Sequence, residues 1–597
     1  RVAAKLRAAH PDETFFYFSG RSSNEAGFLL NLFARLYGTN NVNNCSYYCH
    51  QASGAGLSSI YGSGTASVVL EDVEHCDTLF LVGANPASNH PRLMSTIMRM
   101  KRRGGRVIVV NPVRELGLVN FSVPSSVRSM LFGTRIADLY VQPHIGGDVA
   151  FFTGVAKALL ERGAIDRDYI ANATEGWDAF EQRLLSAPWD DIIAQSGVNR
   201  TTIDRVTDVY AASRGAVFAW AMGVTHHAHG VQNVQAIGNV ALMRGMLGRE
   251  HAGLLPIRGH SNVQGIGSMG VTPKLGAAVM KKLEERYGVS VPAKPGLDTM
   301  GSMVQAAQGN VRVAFCIGGN LYGSNPDANF AADAMGKIDL VVYMNTTLNT
   351  GHAMGLGKET IVLPVLARDE ERQSTTQESM FNYVRLSDGG PARHDGPRSE
   401  VEVVAGTAAR VFGESSPVEW KKMEEHNAIR SAIAAIVPGY SEIETIGGTK
   451  HEFQIDGRTF HAPKFRTPSG KAVFHTFPLP ALKASGNGTL RLMTLRSEGQ
   501  FNTVVYEDED LYRGQERRDV ILLNRADMDA LGVKENGHVT VRSTCGALHH
   551  VIVRAFDIRA GNAAMYYPEA NVLVPRDIDP ISKTPAFKSI EVRIERE

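Results

Sequence analysis

Cys49 and His50 stand side by side in the stretch Asn44-Cys-Ser-Tyr-Tyr-Cys-His-Gln-Ala-Ser-Gly-Ala-Gly-Leu57. A thiolate next to an imidazole, on a glycine-rich turn that opens a helix, suits reactive sulfur chemistry or a bound metal. A cysteine alone is more often a small buried hydrophobe. A second segment, Pro256-Ile-Arg-Gly-His-Ser-Asn-Val-Gln-Gly265, adds weight. Arg258 offers a planar, permanently charged fork that can bind a carboxylate through two hydrogen bonds. His50, with an imidazole that titrates near neutrality when free, is suited to accept a proton. Read without context, His50 would be a helix-entry residue bonded to backbone and Arg258 half of a surface ion pair.

Two turns repeat one design, Gly83-Ala-Asn-Pro86 and Gly318-Gly-Asn320. Glycine lets a ligand approach the backbone, and asparagine can bond a base or a ribose. Either turn alone does no more than reverse the chain. Two copies over 200 residues apart favour two similar ligands, or one ligand with two similar arms. His226-His227-Ala-His229 looks like a metal tract, but it falls at a strand-to-helix turn, where capping is the expected role.

These residues need elements to position them, and four segments share one plan: an apolar strand, a Gly/Asn/Ser turn, then a helix. They begin at Thr14-Phe-Phe-Tyr-Phe18, Thr78-Leu-Phe-Leu-Val82, Val217-Phe-Ala-Trp220 and Val311-Arg-Val-Ala-Phe-Cys-Ile317. Near-continuous apolar strands alternating with helices predict parallel sheets covered on both faces, with ligands at the carboxyl ends of the strands. From 365 to 485 the pattern loosens, and Ala484-Ser-Gly-Asn-Gly488 reads as a linker. From Leu490 onward, short alternating strands predict a small β-barrel.

At 597 residues, length alone allows about four domains. The 62 basic and 61 acidic residues nearly cancel, leaving no electrostatic reason for a nucleic-acid or lipid partner. No apolar run approaches the roughly 18 residues of a spanning helix. Five cysteines are too few for a disulfide scaffold and predict a reducing compartment. Cys45 and Cys49 alone complete neither a zinc nor an iron–sulfur site. The first residue is Arg1, so the expectation is a chain that starts within a longer protein, with any targeting or cluster-binding segment upstream.

Asn44-Cys-x-x-x-Cys-His50 and Ala252-Gly-x-x-Pro-x-Arg-Gly-x-x-Asn-Val-Gln-Gly265 resemble the molybdenum-ligand loop and the substrate-arginine loop of formate dehydrogenases. Gly83-Ala-Asn-Pro86, Asn111-Pro112 and Pro143-His-Ile-Gly-Gly-Asp148 resemble pterin-dinucleotide contacts of the wider dimethyl-sulfoxide-reductase superfamily. Thr494-Leu-Arg-Ser-Glu-Gly499 and Ser582-Lys-Thr-Pro585 are similar to its last, barrel-like domain. Within that superfamily the likeness is greatest to the FdhF/YdeP-like branch.

The resemblance implies an α/β fold: two doubly wound α/β domains related by pseudo-symmetry, with a C-terminal β-barrel. The first domain would take 1–44 and 262–485, with a possible small insertion at 365–400; the second would take 45–261 and the barrel 486–597. It implies molybdenum or tungsten held by two molybdopterin guanine dinucleotides, with Cys49 as the protein ligand to the metal. His50 would take the proton and Arg258 would hold formate. Cofactor contacts would come from Gly83, Asn85, Pro86, Asn111, Gly147, Asp148, Gly223, Thr225, Gly318, Asn320, Asn345 and Arg496. Electrons would pass to a redox partner in the cytoplasm, with a [4Fe–4S] cluster possible in an upstream segment. One departure bears on substrate: the family loop usually continues Arg-Gly-Gln-Asn-Asn, and here His260 replaces the glutamine. Two alternatives remain, a nitrate-type oxyanion reductase (or an oxidoreductase for another small acid) and a cofactor-less scaffold subunit.

Overall fold

The computed structural model describes residues 1–122, 133–483, 486, 488–500 and 503–597. Of the linker read at 484–488, Ala484, Ser485 and Asn487 lie outside these residues. The chain divides into two compact units. The first is Arg1–Tyr48 with His260–Gly457 and Asn502–Val505; the second is Cys49–Gly259 with Arg458–Phe501 and Tyr506–Glu597.

In the first unit, five described strands form a parallel sheet in the order Glu359–Pro364, Leu340–Asn345, Val313–Ile317, Thr14–Phe18, Val42–Asn44. The three inner strands are buried at every residue, which is why they read as continuous apolar runs. The chain winds outward from Thr14–Phe18 to one side, and from Val313–Ile317 to the other. The loops leaving those two neighbouring strands therefore diverge and open a crevice at their carboxyl ends.

The second unit repeats the device. Its parallel sheet runs Gly253–Pro256, Ala216–Trp220, Thr78–Val82, Arg106–Val110, Leu139–Val141, and the winding reverses between Thr78–Val82 and Ala216–Trp220. The second unit also holds a closed barrel of six described strands, from Thr489–Leu495 to Ile590–Arg596. The last strand, not singled out in the sequence, carries the same period of two, with Ile590, Val592 and Ile594 buried and charged residues between. The barrel joins its sheet through a shared apolar cluster of Val113 and Ile145 with Met493, Leu522 and Tyr566. The expected α/β architecture with a C-terminal barrel is thus what the chain forms.

The first unit is tied internally by a fully buried ion pair. Arg430 Nε donates to Glu25 at 2.7 Å, the two side chains being 1% and 0% exposed. Glu25 also accepts the backbone N–H and hydroxyl of Thr376, both at 3.0 Å. Arg430→Met leaves the carboxylate buried without its cation, and a loss of about 3–5 kcal/mol is expected. A urea titration measures it, and a loss below about 1 kcal/mol would contradict the pairing.

Candidate active site

Helix Gln51–Tyr61 begins at His50, its N-cap residue. It lies close against helix Gly230–Met243 because each contributes glycine where the other is bulky. A Cβ on Gly56 would fall 2.7 Å from Val234, and one on Gly238 2.4 Å from Ile60. This packing buries both Cys49 (4% exposed) and His50 (1%). Thr225 Oγ1 donates to the Cys49 carbonyl at 2.7 Å, and the His50 ring meets Ser53 Oγ through Nδ1 at 3.0 Å. Ser53 in turn accepts the Trp220 indole N–H at 2.9 Å.

Arg258 follows strand Gly253–Pro256 and is half-buried, its Nη2 donating to the Gly64 carbonyl at 2.9 Å. The His90 ring N–H donates to the Arg258 carbonyl at 2.8 Å and fixes the loop. The electrostatics tie these residues together. Burial pushes the Cys49 thiol up, while Arg496, Arg258 and the Gly259 backbone N–H act in the opposite direction. Burial first, and then Arg258, hold His50 well below its ordinary value, so its ring is neutral at pH 7.

At the winding reversal of the same unit, Gly83 and Gly223 touch backbone to backbone. Gly83 has φ +53°, and a Cβ there would fall 2.7 Å from Gly223 Cα; one on Gly223 would fall 2.5 Å from Gly83 Cα. Around them opens a cleft of about 760 Å³, its mouth included, lined by Gly83, Asn85, Asn111, Asp148, Gly223 and Arg496 among the residues expected from the sequence. Pro86 instead starts the short helix Pro86–Asn89 outside that lining, Gly147 caps helix Asp148–Glu161, and Thr225 serves Cys49.

The cleft also contains His144 and His227, and three residues the sequence reading did not single out, Glu115, Arg513 and Lys588. Buried polar atoms in it lack protein partners, namely Asn85 Oδ1, His227 Nδ1 and Arg496 Nη1. His227 donates Nε2–H to the Gly223 carbonyl at 2.9 Å, which leaves Nδ1 as an acceptor. His144 Nδ1 faces two donors, Arg491 Nη1 at 3.4 Å and Asn562 Nδ2 at 3.3 Å, so the proton of the neutral ring rests on Nε2. Burial, then Arg496 and Arg513, push the Lys588 ammonium down to about 7. His144 and His227 belonged to motifs already visible in the sequence. Lys588 and Arg513, the latter paired with Glu115 at 2.6 Å and Asp510 at 2.5 Å, are cations whose position only the barrel's closure reveals.

In the first unit, Gly318 and Gly319 take φ of +65° and +72°. A Cβ on Gly318 would fall 2.8 Å from the Ser19 side chain. Asn320 spends its amide within the protein: Oδ1 accepts the Gly323 N–H at 2.8 Å, and Nδ2 donates to Thr350 Oγ1 at 2.7 Å and the Thr503 carbonyl at 3.1 Å. Asn345 bonds the Gly319 carbonyl through Nδ2 at 2.9 Å and keeps a buried Oδ1 without a protein partner. His260 meets Cys45, Nδ1 to Sγ 3.2 Å. Among the described residues, no group of three or more His, Cys, Asp or Glu side chains could hold a metal ion by itself.

Comparison with known proteins follows the same lines. The family model described as molybdopterin oxidoreductase matches residues 1–377, and that for a molydopterin dinucleotide binding domain matches 490–591. An uncharacterized oxidoreductase of Mycobacterium tuberculosis is 37% identical over 98% of this chain and 78% of its own. Protein YdeP of Escherichia coli is 34% identical over 100% and 82%. Formate dehydrogenase H of Escherichia coli is 25% identical over 100% and 84%. The solved acetylene hydratase of Pelobacter acetylenicus superposes with TM-score 0.74 at 15% identity, covering 100% of this chain and 88% of that one, a likeness of fold.

Burial pushes the Asp148 carboxyl up from 3.8 to about 7. The folded chain thus holds a proton that the unfolded chain releases, and stability falls as pH rises from about 4 to about 7. Asp148→Asn is expected to flatten that slope when urea midpoints are compared at about pH 5 and pH 7. An unchanged slope would place the dependence elsewhere.

Proposed function

The chain belongs to the molybdopterin oxidoreductase family, and on that premise we propose that it oxidises formate to carbon dioxide and passes the electrons to a redox partner. The observation that carries this reading is the grouping of Cys49, His50 and Arg258 within one unit, a buried thiol and a neutral imidazole in the field of a guanidinium. The partial likeness to formate dehydrogenase H supports it.

The residues fit a pterin dinucleotide. The Gly83–Gly223 contact lets two loops meet at the floor of the cleft, and unpartnered Asn85 Oδ1, His227 Nδ1 and Arg496 Nη1 supply an acceptor, an acceptor and a donor. Arg496 and Lys588 suit its anionic groups, while Arg513 is already paired with Glu115 and Asp510. In the first unit, Gly318 and Asn345 would serve a second pterin, with Asn320 shaping the turn. Cys49 would be the protein ligand to molybdenum or tungsten, for which a thiolate is a suitable soft donor. When bound, that group supplies the two-electron acceptor.

The remaining work falls to this chain's side chains. Arg258 would bind the formate carboxylate and fix its orientation. Ser53 Oγ, which already takes the Trp220 N–H, has a second lone pair for His50 Nδ1–H. In that tautomer Nε2 is the basic nitrogen, and the neutral ring can take up the proton there. His260 would tune which small acid is preferred. The five free cysteines support a reducing compartment, here assigned as the cytoplasm. A [4Fe–4S] cluster outside these 597 residues, or on the partner, would carry the electrons away.

Metal and pterin analysis with formate-dependent reduction of an artificial one-electron dye tests this. Cys49→Ser is expected to abolish dye reduction. Arg258→Ala removes charge-assisted hydrogen bonds and should raise the KM for formate about 10- to 100-fold. Metal and pterin without formate turnover would point to a nitrate-type oxyanion or another small acid. A folded chain without either, made where the cofactor is produced, would favour the scaffold role.

A further inference from the structure

We propose that Cys45 is a reactive, oxidation-sensitive thiol activated by His260, with a role separate from that of Cys49. Cys45 Sγ lies 3.2 Å from His260 Nδ1 and accepts the Gly20 backbone N–H at 3.2 Å. The Arg21 guanidinium stands near enough for its charge to interact with the sulfur. A base in hydrogen-bond contact can take the thiol proton, while an N–H dipole and a nearby cation favour the sulfur anion. These conditions favour the nucleophilic thiolate, here in a side chain that is itself buried, 8% exposed.

The pair is built into the first unit. Cys45 opens the turn Cys45–Tyr48 after strand Val42–Asn44. The loop carrying His260 is pinned to the loop after Thr14–Phe18, with the Asn262 N–H donating to the Gly20 carbonyl and Asn262 Nδ2 to the Ser22 carbonyl, each at 2.8 Å. Gly20 is required here, since a Cβ would fall 2.7 Å from Val263 and 3.0 Å from Cys45 Sγ. Other thiols are set differently. Cys76 donates to the Val73 carbonyl at 3.3 Å, Cys545 to the Val572 carbonyl at 3.4 Å, and burial drives the Cys316 thiol up to about 12.

With hydrogen peroxide as the oxidant, the thiolate attacks one peroxide oxygen, the O–O bond breaks, and hydroxide leaves and is protonated to water. Sulfur is oxidised by two electrons to the sulfenate as the peroxide is reduced. The added oxygen has no room in the 3.2 Å contact with His260, so oxidation would release that ring and the loop that follows Arg258. The chemistry of the pair is the same whichever small acid the enzyme takes.

The purified protein with its bound cofactor is treated with limiting iodoacetamide between about pH 6.5 and pH 8, and each thiol is followed by tandem mass spectrometry. Cys45 is expected to change in rate by less than about threefold over this range, whereas an ordinary thiol loses about 20-fold of its thiolate. Glutathione in the same tube gives the ordinary profile. After peroxide, a sulfenate-selective dimedone probe should label Cys45 at least about tenfold more in the wild type than in His260→Gln. A wild-type Cys45 as steep in pH as glutathione, or unmodified while Cys545 reacts, overturns the proposal without relying on any variant's folding.

Discussion

Arg258 and Arg496 act on two buried neighbours in opposite senses. Burial alone would keep Cys49 as a thiol, and both guanidiniums favour its anion. The same cations disfavour a charged His50, which burial already keeps neutral. One field thus favours the anion of one residue and the neutral form of its neighbour. Metal binding releases the cysteine proton, and the two guanidiniums offset part of the cost that burial places on the thiolate. The helix packing through Gly56 and Gly238 matters because it keeps both residues out of water, where this field is least screened.

Each parallel sheet reverses its winding once between strands whose exits approach closely: Gly83 against Gly223 in one unit, Gly318 against the Ser19 side chain in the other. Divergent loops make the crevice, and residues without side chains let two backbones meet at its floor. The second unit then lines its cleft from the barrel, which brings Arg496, Arg513 and Lys588 to one wall. Holding Lys588 near 7 is costly unless something anionic balances it. Glu115, in the same cleft, supplies part of that balance.

Much of this was legible in the sequence because the signals were local. Buried parallel strands read as apolar runs, the paired Gly-Asn turns fell where the windings reverse, and the Cys49–His50 dipeptide led directly to the candidate site. Long-range pairing was not legible. Nothing near Cys45 in sequence points to His260, 215 residues away, and nothing around Lys588 distinguishes it from a surface lysine. Asn320 teaches the converse lesson. Its motif was visible, but its amide is fully engaged by Gly323, Thr350 and Thr503, so the motif shapes a turn as much as it offers a contact.

The central claim is that Cys49 binds the metal, and metal-edge X-ray absorption on the purified protein addresses it directly. Comparison of the wild type with Cys49→Ser should show one sulfur scatterer lost from the metal's coordination shell and one lighter atom in its place. Identical spectra from two metal-loaded proteins would remove Cys49 from the metal and contradict the account.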